Sequence, residues 1–96
     1  MEQADLAVMD KGIYSKPWFV YIAECGDRTL YTGVARDVER RIEEHNTTGR
    51  CRYTRCRKPL RLMYKEICSD YSAALKREAE VKRFTRKKKL ELAGSK

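Results

Sequence analysis

Two tyrosines, an arginine, a histidine and a glutamate in this 96-residue sequence could together carry out acid–base and charge-stabilising chemistry. Tyr21 and Tyr31 lie ten residues apart in segments rich in aromatic and β-branched residues. Arg41 and His45 are one helical turn apart, and Glu78 lies in a later segment with helical periodicity. Such a set could bind a divalent metal ion, balance the charge that develops on a phosphate and deprotonate water. These are the requirements for hydrolysing a phosphodiester bond.

The tyrosines are placed by segments that have the composition of β-strands. Three such segments are present, at residues 18–24, 29–34 and 61–68. Gly26 and Asp27 supply turn residues between the first two, which predicts a hairpin with Tyr21 and Tyr31 on adjacent strands. Tyrosines in strands are more often core residues, so neither is diagnostic alone. Gly33 inside the second strand indicates a close approach by backbone or by a ligand.

The arginine and the histidine belong to a first predicted helix, which Asp37 caps and which ends near Asn46. The positions on its inward face are Val38, Arg41, Ile42 and His45. Polar side chains on a buried face need partners, because unpaired burial is costly. Arg41 and His45 are therefore either site residues or ordinary ones, namely an arginine whose stem covers the core and a satisfied histidine.

The glutamate belongs to a second predicted helix, which begins at Asp70 or Ser72 and runs through Phe84. The apolar arc of this helix comprises Ala74, Leu75, Ala79 and Val81. Glu78 and Lys82 fall inside that arc, whereas the other charges of the helix fall outside it. An inward carboxylate is either a metal ligand or half of an ion pair, and Lys82 at i+4 is the obvious partner.

A third helix is predicted over residues 85–92, so the order of elements is β-β-α-β-α-α. This order indicates an α/β sandwich of the α+β class, built on a small sheet. Residues 1–17 are expected to form a loosely ordered N-terminal extension, residues 18–92 one domain and residues 93–96 a C-terminal tail.

The cellular setting predicted from composition is the cytoplasm. No segment approaches the length needed to cross a bilayer, and charges interrupt the first 17 residues, unlike a signal peptide. The cysteines contain no C-x-x-C pair, so we expect reduced thiols and no structural zinc. They are Cys25, Cys51, Cys56 and Cys68.

The net charge of +8 is concentrated in two basic blocks, which suit a polyanionic partner and a merely solvated surface equally well. Residues 50–65 contain seven basic residues and no acidic one. The candidate nucleic-acid contacts are Arg50, Arg52, Tyr53, Arg55, Arg57 and Lys58 in the loop, and Arg86, Lys87, Lys88 and Lys89 in the tail. Tyr53 could stack on an exposed base or belong to the core.

Four short motifs together resemble the GIY-YIG nuclease superfamily, and within it the small stand-alone bacterial (YhbQ-like) group. The sequence is also similar to the catalytic domain of Slx-type structure-specific nucleases. The resemblance spans residues 18–92 and rests on Val20-Tyr21-Ile22, Tyr31-Thr32-Gly33, Arg40 to Asn46 and Ala74 to Glu78. Gly12-Ile13-Tyr14 spells the name of the family but precedes the first strand, so we interpret it as a coincidence.

The resemblance implies a three-stranded antiparallel sheet flanked by helices, and one divalent ion, Mg²⁺ or Mn²⁺, bound by Glu78. It implies that Arg41 steadies the phosphate, that His45 lies near the scissile phosphate, and that Tyr21 or Tyr31 activates or orients water. Lys82 is implied as a supporting residue. Valine replaces the glycine of the first motif, and threonine replaces the aliphatic residue of the second.

The function that follows is a metal-dependent endonuclease acting on nucleic acid, with DNA favoured over RNA, and branched or single-stranded sites are its candidate substrates. Two alternatives remain open at the level of sequence. One is a nucleic-acid-binding module that kept the fold without cleavage, and the other is a catalytic core that needs a protein partner to recognise its substrate.

Overall fold

Within residues 17–48 and 57–94, which the computed structural model describes, the chain forms three strands and three helices. They are β1 Trp18–Glu24, β2 Leu30–Ala35, α1 Val38–Thr48, β3 Arg61–Cys68, α2 Tyr71–Lys82 and α3 Arg86–Leu92. The predicted order β-β-α-β-α-α is confirmed. The boundaries differ slightly, since β2 begins one residue later, α1 runs on to Thr48 and α2 ends before Phe84.

The sheet is antiparallel with the strand order β2-β1-β3, so β2 is an edge strand. In the hairpin, Tyr21 lies opposite Gly33 and Ala23 lies opposite Tyr31. The two tyrosines are therefore diagonal neighbours on one face of the sheet, a spacing that aromatic side chains can bridge. The β1–β3 register shifts between Ile22 and Ala23.

The helices cover opposite faces of this sheet, because successive strand residues point to opposite sides. On one face, Tyr21 and Ala23 pack with Val38 and Ile42 of α1. On the other face, Val20 and Ile22 pack with Ala74 and Val81 of α2. Phe84 and Leu92 pack against this second cluster. The central strand thus supplies the core of both layers, and the edge strand lies within reach of helices on either side.

The turn between β1 and β2 is held by side chains that the sequence singled out as turn residues. Asp27 accepts hydrogen bonds from the Thr29 backbone N–H and hydroxyl at 3.1 and 2.6 Å. The Gly26 N–H donates to the Arg57 carbonyl at 2.7 Å, and a Cβ on Gly26 would lie 2.3 Å from the Lys58 oxygen. Only glycine fits where this turn meets the chain that enters β3.

The buried face of α2 differs from the predicted apolar arc. Ala74 and Val81 are buried as predicted, but Leu75 and Ala79 are exposed, so their inward placement was wrong. Arg77, predicted to face outward, is half-buried and bonds Glu66 of β3 at 2.9 Å. This ion pair favours the observed rotation of the helix, because a half-buried guanidinium and a half-buried carboxylate each need a partner.

None of the helices in the described residues is both long enough and apolar enough to cross a membrane.

Candidate active site

Gly33 provides the space in the edge strand that the Tyr21 side chain occupies. Its side-chain-free backbone lies against the phenol of Tyr21, and a Cβ there would lie 2.6 Å from the Tyr21 oxygen and 2.7 Å from Cζ. The close approach that the sequence predicted is therefore made by the tyrosine on the neighbouring strand. This vacancy lets the Tyr21 ring extend across the edge strand while it stays buried, with 1% of its surface exposed.

The Tyr21 hydroxyl meets His45 from the last turn of α1. Its oxygen lies 3.4 Å from His45 Nε2, a long hydrogen bond between two groups that are both at least 98% buried. Tyr31 completes the cluster, since its ring lies edge-on to the His45 ring at 5.2 Å and 6.2 Å from the Tyr21 ring. The predicted histidine is thus a buried partner of both tyrosines rather than an exposed group.

Arg41 reaches the same cluster from one turn earlier on α1. Its side chain is 39% exposed, and it donates to Glu44 at 3.2 Å. Partial burial acts to lower the pKa of Arg41, but the hydrogen bond to Glu44 and the nearby phenol groups of Tyr21 and Tyr31 raise it overall. The guanidinium is therefore permanently charged and close to both tyrosines, with part of its surface open to solvent.

His45 is held in its neutral form. Burial lowers the pKa of His45, the charge of Arg41 lowers it further, and Glu44 opposes the shift. A neutral imidazole keeps one nitrogen as an acceptor, so His45 can accept the Tyr21 hydroxyl proton in a hydrogen bond.

We expect Gly33→Ala to destabilise the protein by about 1–3 kcal/mol, because the buried Tyr21 ring must move to admit the methyl group. The measurement is urea unfolding of a double-mutant cycle with Tyr21→Leu, which removes the ring that the methyl group meets. Gly33→Ala should cost much less in the Tyr21→Leu background. Equal costs in both backgrounds would show that the ring does not require the glycine.

We expect the free energy of unfolding to fall as pH drops from about 7.5 to about 5.5. The unfolded chain protonates its histidine near pH 6.5, whereas buried His45 resists protonation, so acid favours unfolding by at most about 1.4 kcal/mol per pH unit. His45 is the one histidine in the sequence, so His45→Gln should flatten this dependence in urea titrations at several pH values. A native profile that is already flat would contradict a buried neutral imidazole.

Glu78 lies apart from this quartet, on the helix that covers the opposite face of the sheet. Its side chain is 20% exposed and pairs with Lys82 at 3.3 Å, which is the ion pair that the sequence offered as the alternative to a metal ligand. Within the described part of the chain, Glu78 forms no hydrogen bond or ion pair with Tyr21, Tyr31, Arg41 or His45. Five groups were predicted to converge, and the structure brings together four of them: Tyr21, Tyr31, Arg41 and His45.

A pocket of about 300 Å³ lies at the edge strand. It is lined by Leu30, Tyr31 and Thr32 of β2, Lys82 of α2 and Lys89 of α3. Tyr31 belongs both to this pocket and to the cluster around His45, while Lys82 belongs to the pocket and pairs with Glu78.

The residues present fit a divalent ion at Glu78. A carboxylate oxygen is a ligand that Mg²⁺ accepts, and Mg²⁺ is commonly held by one or two carboxylates together with waters and substrate phosphates. No group of three or more His, Cys, Asp or Glu that could hold a metal occurs among residues 17–48 and 57–94. One protein carboxylate with an exposed edge is thus the donor set that the described residues offer.

The predicted nucleic-acid contacts have different surroundings. Arg50, Arg52, Tyr53 and Arg55 lie outside the described residues, as do Cys51, Cys56 and the Gly12-Ile13-Tyr14 stretch. Arg57 pairs with Asp27 at 3.1 Å, and Lys58 is exposed. In the tail, Arg86 donates to the Arg28 carbonyl at 2.6 Å, Lys88 lies over the Phe84 ring, Lys87 is exposed and Lys89 is half-buried in the pocket.

Two further residues contribute to the site without having been selected from the sequence. Glu44 holds Arg41, and only its i+3 spacing could have indicated this. Thr32 lines the pocket and buries its hydroxyl, and Oγ1 has no hydrogen-bond partner in the part of the chain described. A threonine in a strand is common, so no sequence signal distinguishes it.

Comparison with known proteins agrees with this architecture. Residues 17–91 match the model of the GIY-YIG catalytic domain. The chain is 51% identical over 74 residues to UPF0213 proteins of Staphylococcus aureus strains Mu3 and Mu50, covering 77% of this chain and 90% of theirs. It is also similar to the solution NMR structure of a UPF0213 protein from Bacillus halodurans, with a TM-score of 0.52 and 40% identity over 83% of this chain and 85% of that one.

These matches cover the strands and helices that carry the tyrosine cluster, Arg41 and Glu78. The resemblance to the GIY-YIG superfamily and its small bacterial group is confirmed, while the similarity to Slx-type nucleases stays a prediction. The matching domain is a nuclease catalytic domain, which indicates a hydrolase with a nucleic-acid substrate. The chain belongs to the GIY-YIG family, and within it to the UPF0213 group.

Proposed function

We propose that this protein is a divalent-metal-dependent endonuclease that hydrolyses phosphodiester bonds in DNA at branched or single-stranded sites. The observation that carries the proposal is the packing of the edge-strand Tyr31 and the partly open Arg41 against buried Tyr21 and His45. A positioned phenol beside a fixed cation is the arrangement that water activation at a phosphate requires.

Burial divides the four residues into two pairs with different roles. Tyr31 and Arg41 retain exposed surface, so they are the ones that can touch substrate. Tyr21 and His45 are buried and act through the others as positioning residues. The rings of Tyr21 and His45 pack against the ring of Tyr31 and hold its orientation, which limits the directions in which the Tyr31 hydroxyl can point.

Arg41 supplies the charge on which the chemistry depends. Its guanidinium favours the phenolate of Tyr31, the form that accepts a proton from the attacking water. It also balances the negative charge that develops on the phosphate oxygens, for which its planar set of donors is suited. The hydrogen bond to Glu44 holds the guanidinium in the position that both roles require.

Glu78 is the residue that would hold the metal ion, Mg²⁺ or Mn²⁺. A bound divalent ion polarises a phosphoryl oxygen and lowers the pKa of bound water. Lys82 pairs with the carboxylate of Glu78 at 3.3 Å and itself lines the pocket to which Tyr31 also belongs. A carboxylate held this way remains available to a cation that displaces the lysine.

The Glu78–Lys82 ion pair also favours a second candidate function. It neutralises the proposed metal ligand, and Glu78 lies on the face opposite the tyrosine cluster. A nucleic-acid-binding module without cleavage, or a catalytic core that a protein partner must complete, would have the same basic surface. Salt-dependent binding alone does not separate these functions, because both use phosphate contacts.

The test is cleavage of a labelled panel of single-stranded, duplex, flapped and branched DNA and single-stranded RNA, with Mg²⁺, with Mn²⁺ and with a chelator. The proposal expects metal-dependent cleavage of branched or single-stranded DNA, which the chelator abolishes. Glu78→Gln runs alongside, because a contaminating nuclease would cleave equally in both preparations. Binding of the panel without cleavage in either metal would support the second candidate function instead.

A further inference from the structure

Lys82 and Lys89 come together in the pocket at the edge strand, although they belong to different helices. Lys82 has the carboxylate of Glu78 as a partner, but Lys89 forms no ion pair within residues 17–48 and 57–94. Burial lowers the pKa of Lys89, and the charge of Lys82 lowers it further. The largely exposed Lys82 and the half-buried Lys89 repel each other, and a bound anion would remove that repulsion.

One further group of the pocket lining, the hydroxyl of Thr32, also favours a polar occupant. Thr32 has a buried hydroxyl without a partner in the described part of the chain, and such a group is costly to leave unsatisfied. β2 is an edge strand, so some of its amide groups face away from β1 and have no partner strand among residues 17–48 and 57–94. The volume of about 300 Å³ is at the lower end for a ligand site.

We propose that this pocket is a second phosphate subsite, in which Lys82 and Lys89 hold a backbone phosphate of the nucleic-acid strand next to the phosphate that Arg41 faces. The inference rests on the proposed function, since it assigns the substrate of the same site. Arg41 approaches Tyr31 from the α1 side, whereas both lysines approach it from the α2 and α3 side. A strand crossing Tyr31 at the sheet edge meets positive charge on both sides.

This placement also gives the half-buried lysine of the tail a role separate from its neighbours. Lys87 and Lys88 are exposed and can contribute to the general field that attracts a polyanion. Lys89 is half-buried in the pocket and is positioned there by α3, so it selects where one phosphate sits. The subsite would thereby set the register of the strand relative to Tyr31.

The first test measures binding of a short single-stranded DNA in chelator, so that neither metal nor cleavage is needed. Lys89→Gln should weaken binding about tenfold and reduce the slope of log affinity against log salt by about 0.7, the amount expected for one lost phosphate contact. Lys76→Gln is the matched control, because it removes the same charge from an exposed position outside the pocket. Equal effects of the two variants would overturn the subsite.

The second test identifies the source of the phosphate by NMR, following the backbone amides of Leu30, Tyr31 and Thr32. The expected result is that the DNA strand shifts these amides in the native chain and not in Lys82→Gln/Lys89→Gln. A strand with uncharged methylphosphonate linkages should leave them unchanged. Shifts caused by inorganic phosphate but not by the strand would overturn the nucleic-acid assignment.

These tests separate failure of the subsite from failure of the proposed function. Native protein that cleaves DNA while Lys89→Gln and Lys76→Gln bind alike would retain the nuclease and remove the subsite. Native protein that binds through Lys89 but cleaves nothing in either metal would retain the subsite and support the binding function. Circular dichroism of each variant confirms that the fold is intact.

Discussion

Glu78→Gln is expected to reduce the rate of DNA cleavage at least about a thousandfold in saturating Mg²⁺ or Mn²⁺. Glutamine keeps the shape of the side chain but removes the charge that would bind the cation. A metal ion contributes several kcal/mol to phosphoryl chemistry, and each 1.36 kcal/mol or so changes the rate tenfold. The measurement is single-turnover cleavage of the best substrate in the panel.

Glu80→Gln is the matched control for this variant. Glu80 lies on the same helix, is largely exposed and pairs with Arg77, so its loss removes the same charge away from the site. Stability should change little in Glu80→Gln, because exposed ion pairs contribute about 0–1 kcal/mol. If Glu78→Gln cleaved as fast as Glu80→Gln, Glu78 would be only the partner of Lys82 and the metal would have to bind elsewhere.

Arg41→Ala is expected to reduce cleavage by about a hundredfold to a thousandfold, the usual loss when one group that stabilises developing charge is removed. The guanidinium interacts electrostatically with the phenol of Tyr31 from the α1 side of the sheet, and in the proposed function it serves both the phenol and the phosphate. The loss should appear in the cleavage rate with substrate in excess, because the interaction strengthens as charge develops.

Arg40→Ala is an unusually close control for that result. Arg40 is the preceding residue, has the same charge and also pairs with Glu44, at 3.6 Å, but its side chain is 72% exposed and points away from the core. We expect Arg40→Ala to lower the cleavage rate only by as much as it weakens salt-dependent binding of the substrate. Equal losses from the two arginines would indicate that both act only through the general field of the protein.

The strands could be predicted because the residue types that favour strands are also the ones that the buried sheet requires. The segments at residues 18–24 and 61–68 were assigned at their observed bounds, and Gly26 with Asp27 marked the hairpin turn. Aromatic and β-branched residues suit a pleated, buried surface, and β1 is covered on both faces. The inward polar stripe of α1 was predictable for the same kind of reason, because helical periodicity is a local property.

The inward face of α2 could not be predicted in full from periodicity. Glu78 was assigned to the inward side, and it is half-buried, but Leu75 was misplaced because Arg77 pairs with Glu66. Glu66 lies on β3, eleven residues before Arg77, and the sequence of the helix does not indicate that the two residues pair. A partner on another element can therefore rotate a helix away from the face that its own apolar residues favour.

The sequence by itself determined the order of the elements, the two tyrosines on adjacent strands, and the arginine and histidine one turn apart on a helix. These follow from local periodicity and from motifs of fixed spacing. Only the tertiary structure decided that Gly33 makes room for Tyr21, that His45 is buried between two phenols, and that Lys89 meets Lys82 beside Tyr31. Each of these depends on strand register and helix packing. Both bring together residues that are far apart along the chain, and no local sequence pattern indicates such contacts.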